Sequence, residues 1–368
     1  MHECLTTILQ PFLKIRNPKK RALYRRYRVF FCFRKNLPSG GTKEPKGRGG
    51  NILNKKEDAA AKNRCRRYDY AVNRVRQEIH CDEAHSLGYT GKGVGVAILD
   101  TGVFLHEDLK DRIRAFEDFA GRRAGPYDDN GHGTHVAAMI GGSGIASQGK
   151  YKGIAPDCSL IAVKVLDHKG NGSASDVLAG LGWIRARRRE YGIRIVNISV
   201  GAFSRQNMGE NSILVKGVNR AWDDGLIVVV AAGNHGPAPM TVTTPGISRK
   251  VITVGCSDDD KEVEVMGMSM VDYSGRGPTA SCVLKPDLVA PGSGIMSCCN
   301  APGSYFAKSG TSMSTPLVSG AIALLLEKYP QMTNRDVKLR IRERAVDMGL
   351  PHNRQGWGRL DVLNLLRD

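Results

Sequence analysis

The chain has 368 residues, of which 41% are hydrophobic and 24% are charged, with 43 glycines and 16 prolines. This length and balance are typical of a globular chain with one large domain or two small ones. They exclude a disulfide-stapled miniprotein, a membrane bundle and a wholly disordered chain. The formal net charge of +18 at first suggests a polyanionic partner.

The basic charge is concentrated at the N-terminus. Residues 1–80 hold 21 Lys and Arg against 6 Asp and Glu, a net charge of +15, so residues 81–368 carry only +3. No helical or strand periodicity is sustained in residues 1–80, and we predict a basic, flexible extension there. A solvated extension is the favoured interpretation, and a weak contact with nucleic acid or anionic lipid is the alternative.

Residues 1–80 also lack the pattern of a secretion signal. The apolar stretch at 5–13 is short, is interrupted by Pro11 and has no basic residues before it. No stretch of the chain has the length of a transmembrane segment. We therefore expect a cytoplasmic protein whose nine cysteines remain thiols.

The cysteine pattern predicts no structural metal site. Cys298 and Cys299 are adjacent, and the sequence contains no C-x-x-C pair, which is the usual spacing of zinc ligands. Residues 80–85 (HCDEAH) are of ligand type, but we interpret them as a polar segment that leads into the domain. No metal ligand is assigned from the sequence.

Short apolar runs alternate with helical patterns from Gly93 onward, and this alternation predicts an α/β fold with a mostly parallel sheet. The runs are continuous rather than alternating, as in strands that are covered on both faces. The five predicted strands are residues 94–99, 160–166, 193–200, 226–232 and 251–254.

Two helix starts have clear signals. Ser173 and Asp176 precede apolar residues at helical spacing, and Thr333 with Asp336 resembles a capping box. No internal repeat of solenoid length is present.

Three residue types that suit nucleophilic catalysis stand at element ends, where parallel sheets place reacting groups. Asp100 ends a predicted strand, His132 begins a helix rich in small residues, and Ser312 lies at the first turn of an apolar helix. Each could be a simple capping or loop residue. Together they supply a nucleophile, a base and a carboxylate that orients the base.

A fourth residue adds an electrostatic element. Asn234 follows the predicted strand 226–232, and its side-chain amide could donate to a developing oxyanion. The backbone N–H of Ser312 would be the second donor.

These segments together resemble those of the subtilisin-like serine proteases, the subtilases, and most resemble the AprX-like intracellular branch. Four motifs occur in the family's order over residues 91–366. They are 97–102 (AILDTG), 132–137 (HGTHVA), 231–234 (AAGN) and 310–316 (GTSMSTP).

The resemblance implies a three-layer subtilisin-like fold with helices on both faces of the sheet, over a catalytic domain at 81–368. It implies a serine endopeptidase with Asp100, His132 and Ser312 as the triad and Asn234 in the oxyanion hole. It also implies that residues 1–80 are a candidate prosegment and that unfolded or flexible polypeptides are the substrates. The implied substrate-binding residues are Gly170, Gly172, Ser199, Val200, Gly201, Ala231, Ala232 and Gly233.

The resemblance implies no cofactor for the chemistry, and it leaves structural calcium open. Asp108 matches one calcium carboxylate of the family, but residues 139–152 do not reproduce its calcium loop. His135 is expected to be structural.

Two other functions stay open at this point. One is an esterase or processing enzyme of narrow specificity, although Ser312 does not lie in a G-x-S-x-G elbow. The other is a binding protein for nucleic acid or membrane surfaces, which rests only on the charge of residues 1–80.

Overall fold

The computed structural model of the chain describes residues 71–201, 209–265 and 267–368. The flexible extension and its contact with a polyanion were predicted for residues 1–80. Residues 1–70 of this segment lie outside the described residues. The domain boundary predicted at residue 80 therefore stays a prediction.

Seven parallel strands form the central sheet, in the order β2-β3-β1-β4-β5-β6-β9. Two antiparallel hairpins, β7–β8 and β10–β11, lie outside this sheet. The strands are β1 Gly95–Asp100, β2 Ile113–Asp118, β3 Ser159–Lys164, β4 Ile193–Ile198, β5 Ile227–Ala231, β6 Ile252–Cys256, β7 Val263–Val265, β8 Met268–Met270, β9 Leu288–Ala290, β10 Ile295–Cys298 and β11 Tyr305–Lys308.

Helices flank the sheet and complete the predicted three-layer α/β fold, which is confirmed. Those in the described residues are α1 Ala71–Glu78, α2 Cys81–Ser86, α3 His132–Gly141, α4 Ala174–Arg187, α5 Ile213–Asp223, α6 Thr311–Lys328, α7 Asn334–Arg344, α8 His352–Gln355 and α9 Val362–Leu366. None of these helices is long and apolar enough to cross a membrane.

The five predicted strands correspond to β1, β3, β4, β5 and β6, whose residues are almost all buried. The two outer strands of the sheet, β2 and β9, were missed. Strand β2 is only partly buried and β9 has three residues, so neither shows a continuous apolar run of ordinary strand length.

Both predicted helix starts are confirmed. The Ser173 side chain accepts a hydrogen bond from the Asp176 N–H at the start of α4. At the start of α7, Thr333 and Asp336 form a capping box in which each side chain accepts from the other residue's backbone N–H.

Helix α6 forms the centre of the core. Its residues 313–326 are buried, and the helix packs against β4, β5 and β6. One polar link joins it to the sheet: the Ser319 hydroxyl donates to Asn197 Oδ1 on β4 over 2.9 Å. Since Asn197 is fully buried, this link fixes the middle of α6 against the end of β4.

The first described helix also belongs to the core. Val75 and Ile79 are 1% and 0% exposed and lie in the main apolar cluster. The Ile79 carbonyl accepts from the Val362 N–H over 2.7 Å, which joins this segment to the C-terminal helix. Residues 75–79 of the predicted extension are therefore packed on the domain.

Candidate active site

Asp100 and His132 form a hydrogen-bonded pair at the end of β1. His132 Nδ1 lies 2.7 Å from Asp100 Oδ1, and the Thr101 N–H donates to the same oxygen over 2.8 Å. An ionised carboxylate can only accept, so Nδ1 carries the proton and Nε2 has a free lone pair. The Asp100 side chain is 1% exposed while that of His132 is 22% exposed, so the free nitrogen belongs to a solvent-accessible ring.

The start of α3 packs closely on the loop that follows β1. A Cβ atom on Gly133 would lie 2.2 Å from the Gly102 carbonyl oxygen, which only glycine avoids. The Gly133 N–H donates to Thr101 Oγ1 over 2.9 Å. This close packing is what brings the first residue of α3, His132, onto the last residue of β1.

Asp128 is a positioning residue that the sequence analysis missed. Its Oδ1 accepts from the Thr101 hydroxyl and from the Gly131 N–H, and its Oδ2 accepts from the N–H and hydroxyl of Thr134. Burial opposes its ionisation, but these hydrogen bonds outweigh burial and hold the pKa of Asp128 below its ordinary value. The segment 127–131 (YDDNG) contained a signal, because an Asp in such a run often caps a turn.

Asn234 and Ser312 both border Gly310 at the start of α6. Thr311 donates to Asn234 Oδ1 from its N–H over 2.9 Å and from its hydroxyl over 3.0 Å. The amide oxygen is thereby identified, and the Asn234 NH₂ group is left to donate elsewhere. A Cβ atom built on Gly310 would lie 3.1 Å from Asn234 Nδ2 and 3.2 Å from Ser312 Oγ, so both groups border this glycine.

Thr311 is the second residue that sequence reasoning missed. Its hydroxyl donates to Asn234 and accepts from the Gly233 N–H over 3.0 Å, so it joins the end of β5 to the start of α6. Ser312 is the second residue of α6, and its backbone N–H has no acceptor within the helix. The Asn234 amide and this N–H are thus two donors beside one hydroxyl.

The Asp100–His132 pair and the Asn234–Ser312 group lie at the same edge of the sheet. Asp100 ends β1 and Asn234 follows β5, and both strands pair with β4. Strands two positions apart in a sheet are separated by about 10 Å. Helices α3 and α6, which begin at His132 and Thr311, also pack against each other.

The predicted substrate-binding residues fall into two groups. Gly201 and Gly233 both face Thr243, because a Cβ atom on either would lie 2.3 or 2.4 Å from that side chain. The Thr243 N–H donates to the Ala232 carbonyl, so the main chain of 231–233 lies beside it. Ser199 is buried, Val200 is half-buried and residues 202–208 lie outside the described part of the chain.

The second group is the turn at 170–172. Gly170 has φ of +78°, and a Cβ atom on Gly172 would lie 2.5 Å from the Val165 carbonyl oxygen. Asn130 Nδ2 donates to the His168 carbonyl, which ties this turn to the residues before His132. Among the described residues no hydrogen bond joins 170–172 to 199–201.

The subtilase family model matches residues 91–358. The chain belongs to the subtilase family. It is 41% identical over 267 residues to the serine protease AprX of Bacillus subtilis, a match that covers 68% of this chain and 60% of AprX. It is 34% identical over 272 residues to subtilisin Savinase of Lederbergia lenta, covering 74% and 90% of the two chains.

Solved structures agree with this subtilase assignment. Sphericase superimposes with a TM-score of 0.64 at 32% identity, over 74% of this chain and 92% of its own. A cold-adapted subtilisin-like serine proteinase gives 0.61 at 31% identity, over 74% and 90%. The recognition and the enzyme class predicted from the motifs are confirmed: this subtilase is a subtilisin-like serine peptidase.

The candidate metal residues at 80–85 make structural contacts in this subtilase. His80 Nδ1 lies 2.8 Å from Asp361 Oδ2, and His85 Nε2 lies 2.8 Å from the Ile154 carbonyl oxygen. Both histidines therefore join α2 and its N-cap to other parts of the domain.

Calcium does not fit the surroundings of Asp108. Its Oδ1 accepts from the Ala146 N–H and its Oδ2 from the Tyr305 hydroxyl. The donor groups that cluster with it are the His106 imidazole and the Cys298 thiol. Since Ca²⁺ takes six to eight oxygen ligands, nitrogen and sulfur donors make this a poor calcium site.

His135 is buried one turn after His132 and holds the β10–β11 hairpin. It is 0% exposed, and its Nε2 lies 3.0 Å from the carbonyl oxygens of Ile295 and Phe306. Carbonyl oxygens only accept, so Nε2 carries the proton of a neutral ring. Burial lowers the pKa of His135 to about 3.

We expect the buried His135 to lower the stability of the folded subtilase at acidic pH. Between its folded pKa of about 3 and the ordinary value of 6.5, the unfolded chain binds a proton that the folded chain does not. The free energy of unfolding should therefore fall as pH falls through this window, by about 2 kcal/mol from this residue between about pH 6.5 and about pH 4.5. Urea unfolding of the Ser312→Ala protein at the two pH values measures the loss.

The variant His135→Gln removes the titrating ring but keeps an amide donor for the two carbonyls. Its loss of stability between the two pH values should be smaller than that of the parent. His168→Gln changes an exposed histidine and serves as the matched control. Equal losses in the parent and His135→Gln would contradict the role given to His135.

Proposed function

We propose that this subtilase is a serine endopeptidase in which Asp100, His132 and Ser312 form the catalytic triad. The observation that carries the proposal is the 2.7 Å contact of His132 Nδ1 with Asp100, which leaves Nε2 as a base. The orientation of Asn234 by Thr311 beside Ser312 supports the same assignment.

The chemistry would proceed through an acyl-enzyme. His132 Nε2 takes the Ser312 hydroxyl proton as the oxygen attacks the scissile carbonyl, and the imidazolium formed is stabilised by Asp100. Asn234 and the Ser312 N–H donate to the oxyanion of the tetrahedral intermediate. His132 then protonates the leaving amine. In the second half of the reaction His132 takes a proton from water, which attacks the acyl-enzyme and releases the acid and the free Ser312 hydroxyl. No step requires a cofactor.

The proposed substrates are unfolded or flexible polypeptides. An extended segment would lie between the 170–172 turn and residues 199–201 and pair with their main-chain groups as an added strand. The side chain before the scissile bond would enter the space bordered by Ser199–Gly201, residues 231–233 and Thr243. Glycines in these segments allow another chain to approach closely.

The proposed location is the cytoplasm. Five cysteines of the described residues are free thiols, which supports a reducing compartment; they are Cys81, Cys158, Cys256, Cys298 and Cys299. Cell fractionation tests this, and recovery outside the cytoplasmic fraction would contradict it. The polyanion contact predicted for residues 1–80 stays a prediction, and salt-dependent DNA binding by the chain with and without them tests it.

The direct test of the proposal is hydrolysis of casein and labelling by a fluorophosphonate, which reacts with activated serines. We expect the folded parent to cleave casein and to be labelled, because His132 takes the Ser312 proton as the serine reacts. Circular dichroism confirms that the protein tested is folded. A folded protein that does neither would contradict the proposal.

A further inference from the structure

We propose that His106, Asp108 and Cys298 bind a zinc ion. The three residues are 0%, 1% and 0% exposed. One ligand atom from each lies within 4.8 Å of those of the other two. They form a candidate metal cluster that spans two parts of the fold, because His106 and Asp108 follow β1 whereas Cys298 ends β10.

The spacing of two of the ligand atoms suits a tetrahedral ion. Cys298 Sγ lies 3.7 Å from Asp108 Oδ2. Zinc with bonds of about 2.3 Å to sulfur and about 2.0 Å to oxygen sets these ligands about 3.5 Å apart. The ion would need only a small adjustment of the two side chains.

His106 has a buried nitrogen that the fold does not use. The Asp108 N–H donates to His106 Nδ1 over 3.1 Å, whereas Nε2 is buried without a hydrogen-bond partner. A buried polar atom left unpaired is costly, and bound zinc would remove that cost. The ring proton would move to Nδ1, which would turn from accepting the Asp108 N–H to donating toward Glu107 Oε2, 3.6 Å away. A carboxylate beside the second nitrogen is the usual support of a zinc-bound histidine.

The donor set selects zinc over the hard cations. One thiolate, one imidazole and one carboxylate suit zinc, whereas calcium and magnesium require oxygen ligands. The Cys298 S–H bond breaks as the S–Zn bond forms, and the thiol proton is released to solvent. The fourth position is left to water or to the Tyr305 hydroxyl, which already contacts Asp108.

The position of the cluster gives the ion a structural role. His106 and Asp108 lie in the chain segment that continues from Asp100, and Cys298 lies in the hairpin that leads to Ser312. Zinc would therefore join the segment that follows Asp100 to the hairpin that leads to Ser312. Analysis of cysteine spacing could not find the site, because Asp108 and Cys298 are 190 residues apart.

The test uses the full-length chain with Ser312→Ala, which prevents self-digestion, after removal of metal by a chelator. Zinc is titrated by calorimetry in two buffers of different ionisation enthalpy, and cobalt is titrated by absorption. We expect proton release with zinc, a thiolate-to-cobalt charge-transfer band and a rise in melting temperature with zinc. Since none of these readouts depends on activity, the outcome is separate from that of the proposed protease function.

Three further variants test which side chains bind the zinc ion. Cys298→Ser should lose the cobalt band and bind zinc more than about 100-fold more weakly, which exceeds the loss expected for an outer-shell partner. His106→Asn keeps an acceptor near the Asp108 N–H but removes Nε2, and it should also weaken zinc binding. Cys299→Ser changes the neighbouring thiol and should bind as the parent does.

Circular dichroism of the metal-free variants confirms that each is folded. Equal zinc affinity and an equal cobalt band in the parent, Cys298→Ser and His106→Asn would overturn the proposal. The ion would then be held elsewhere, for example by thiols outside the described residues. Absence of zinc binding by the parent would overturn it as well.

Discussion

Replacement of Ser312 by alanine is expected to lower kcat for peptide hydrolysis by about 10⁶-fold, the scale found for removing the nucleophile of a subtilisin. The loss should be this large because the hydroxyl forms the covalent bond to substrate, and the base and the oxyanion donors act only on that bond. Steady-state hydrolysis of a fluorogenic peptide measures it, together with fluorophosphonate labelling.

Ser314 offers a matched control for this substitution. It lies one residue beyond Met313 in α6, is 0% exposed, and its hydroxyl has no hydrogen-bond partner. We expect Ser314→Ala to be labelled and to hydrolyse peptide as the parent does. Full activity in folded Ser312→Ala, or loss of labelling in both variants, would contradict the assignment of Ser312.

Replacement of Asn234 by alanine is expected to lower kcat by about 10²–10³-fold with little change in KM. The amide would donate to charge that develops only in the transition state, so its loss should not weaken binding of the ground state. The structural basis is the pair of hydrogen bonds from Thr311, which leaves the NH₂ group beside Ser312 Oγ. Steady-state kinetics with one peptide substrate separate kcat from KM.

Variants of Thr311 test whether the orientation of Asn234 contributes to kcat. Thr311→Val removes the hydroxyl that donates to Asn234 and accepts from Gly233, and it should lower kcat by less than Asn234→Ala does. Thr311→Ser keeps the hydroxyl and should restore most of the activity. A rise in KM at unchanged kcat in Asn234→Ala would contradict a role in the oxyanion hole.

Local sequence patterns were sufficient for the main elements of the fold. The buried strands show as continuous apolar runs, since a parallel sheet covered on both faces excludes water from successive residues. The start of α7 could be predicted because the capping box joins residues three apart. The outer strands β2 and β9 were missed because partial burial and short length remove the apolar signal.

The sequence by itself determined which residues could carry the chemistry, because Asp100, His132, Asn234 and Ser312 stand in motifs at element ends. Their roles stay predictions that the experiments above test. Only the tertiary structure showed that Thr311 orients Asn234, that Asp128 joins the residue after β1 to the start of α3, and that His106 and Cys298 approach Asp108. These contacts join residues far apart in the chain, and the packing that brings them together has no local signal in the sequence.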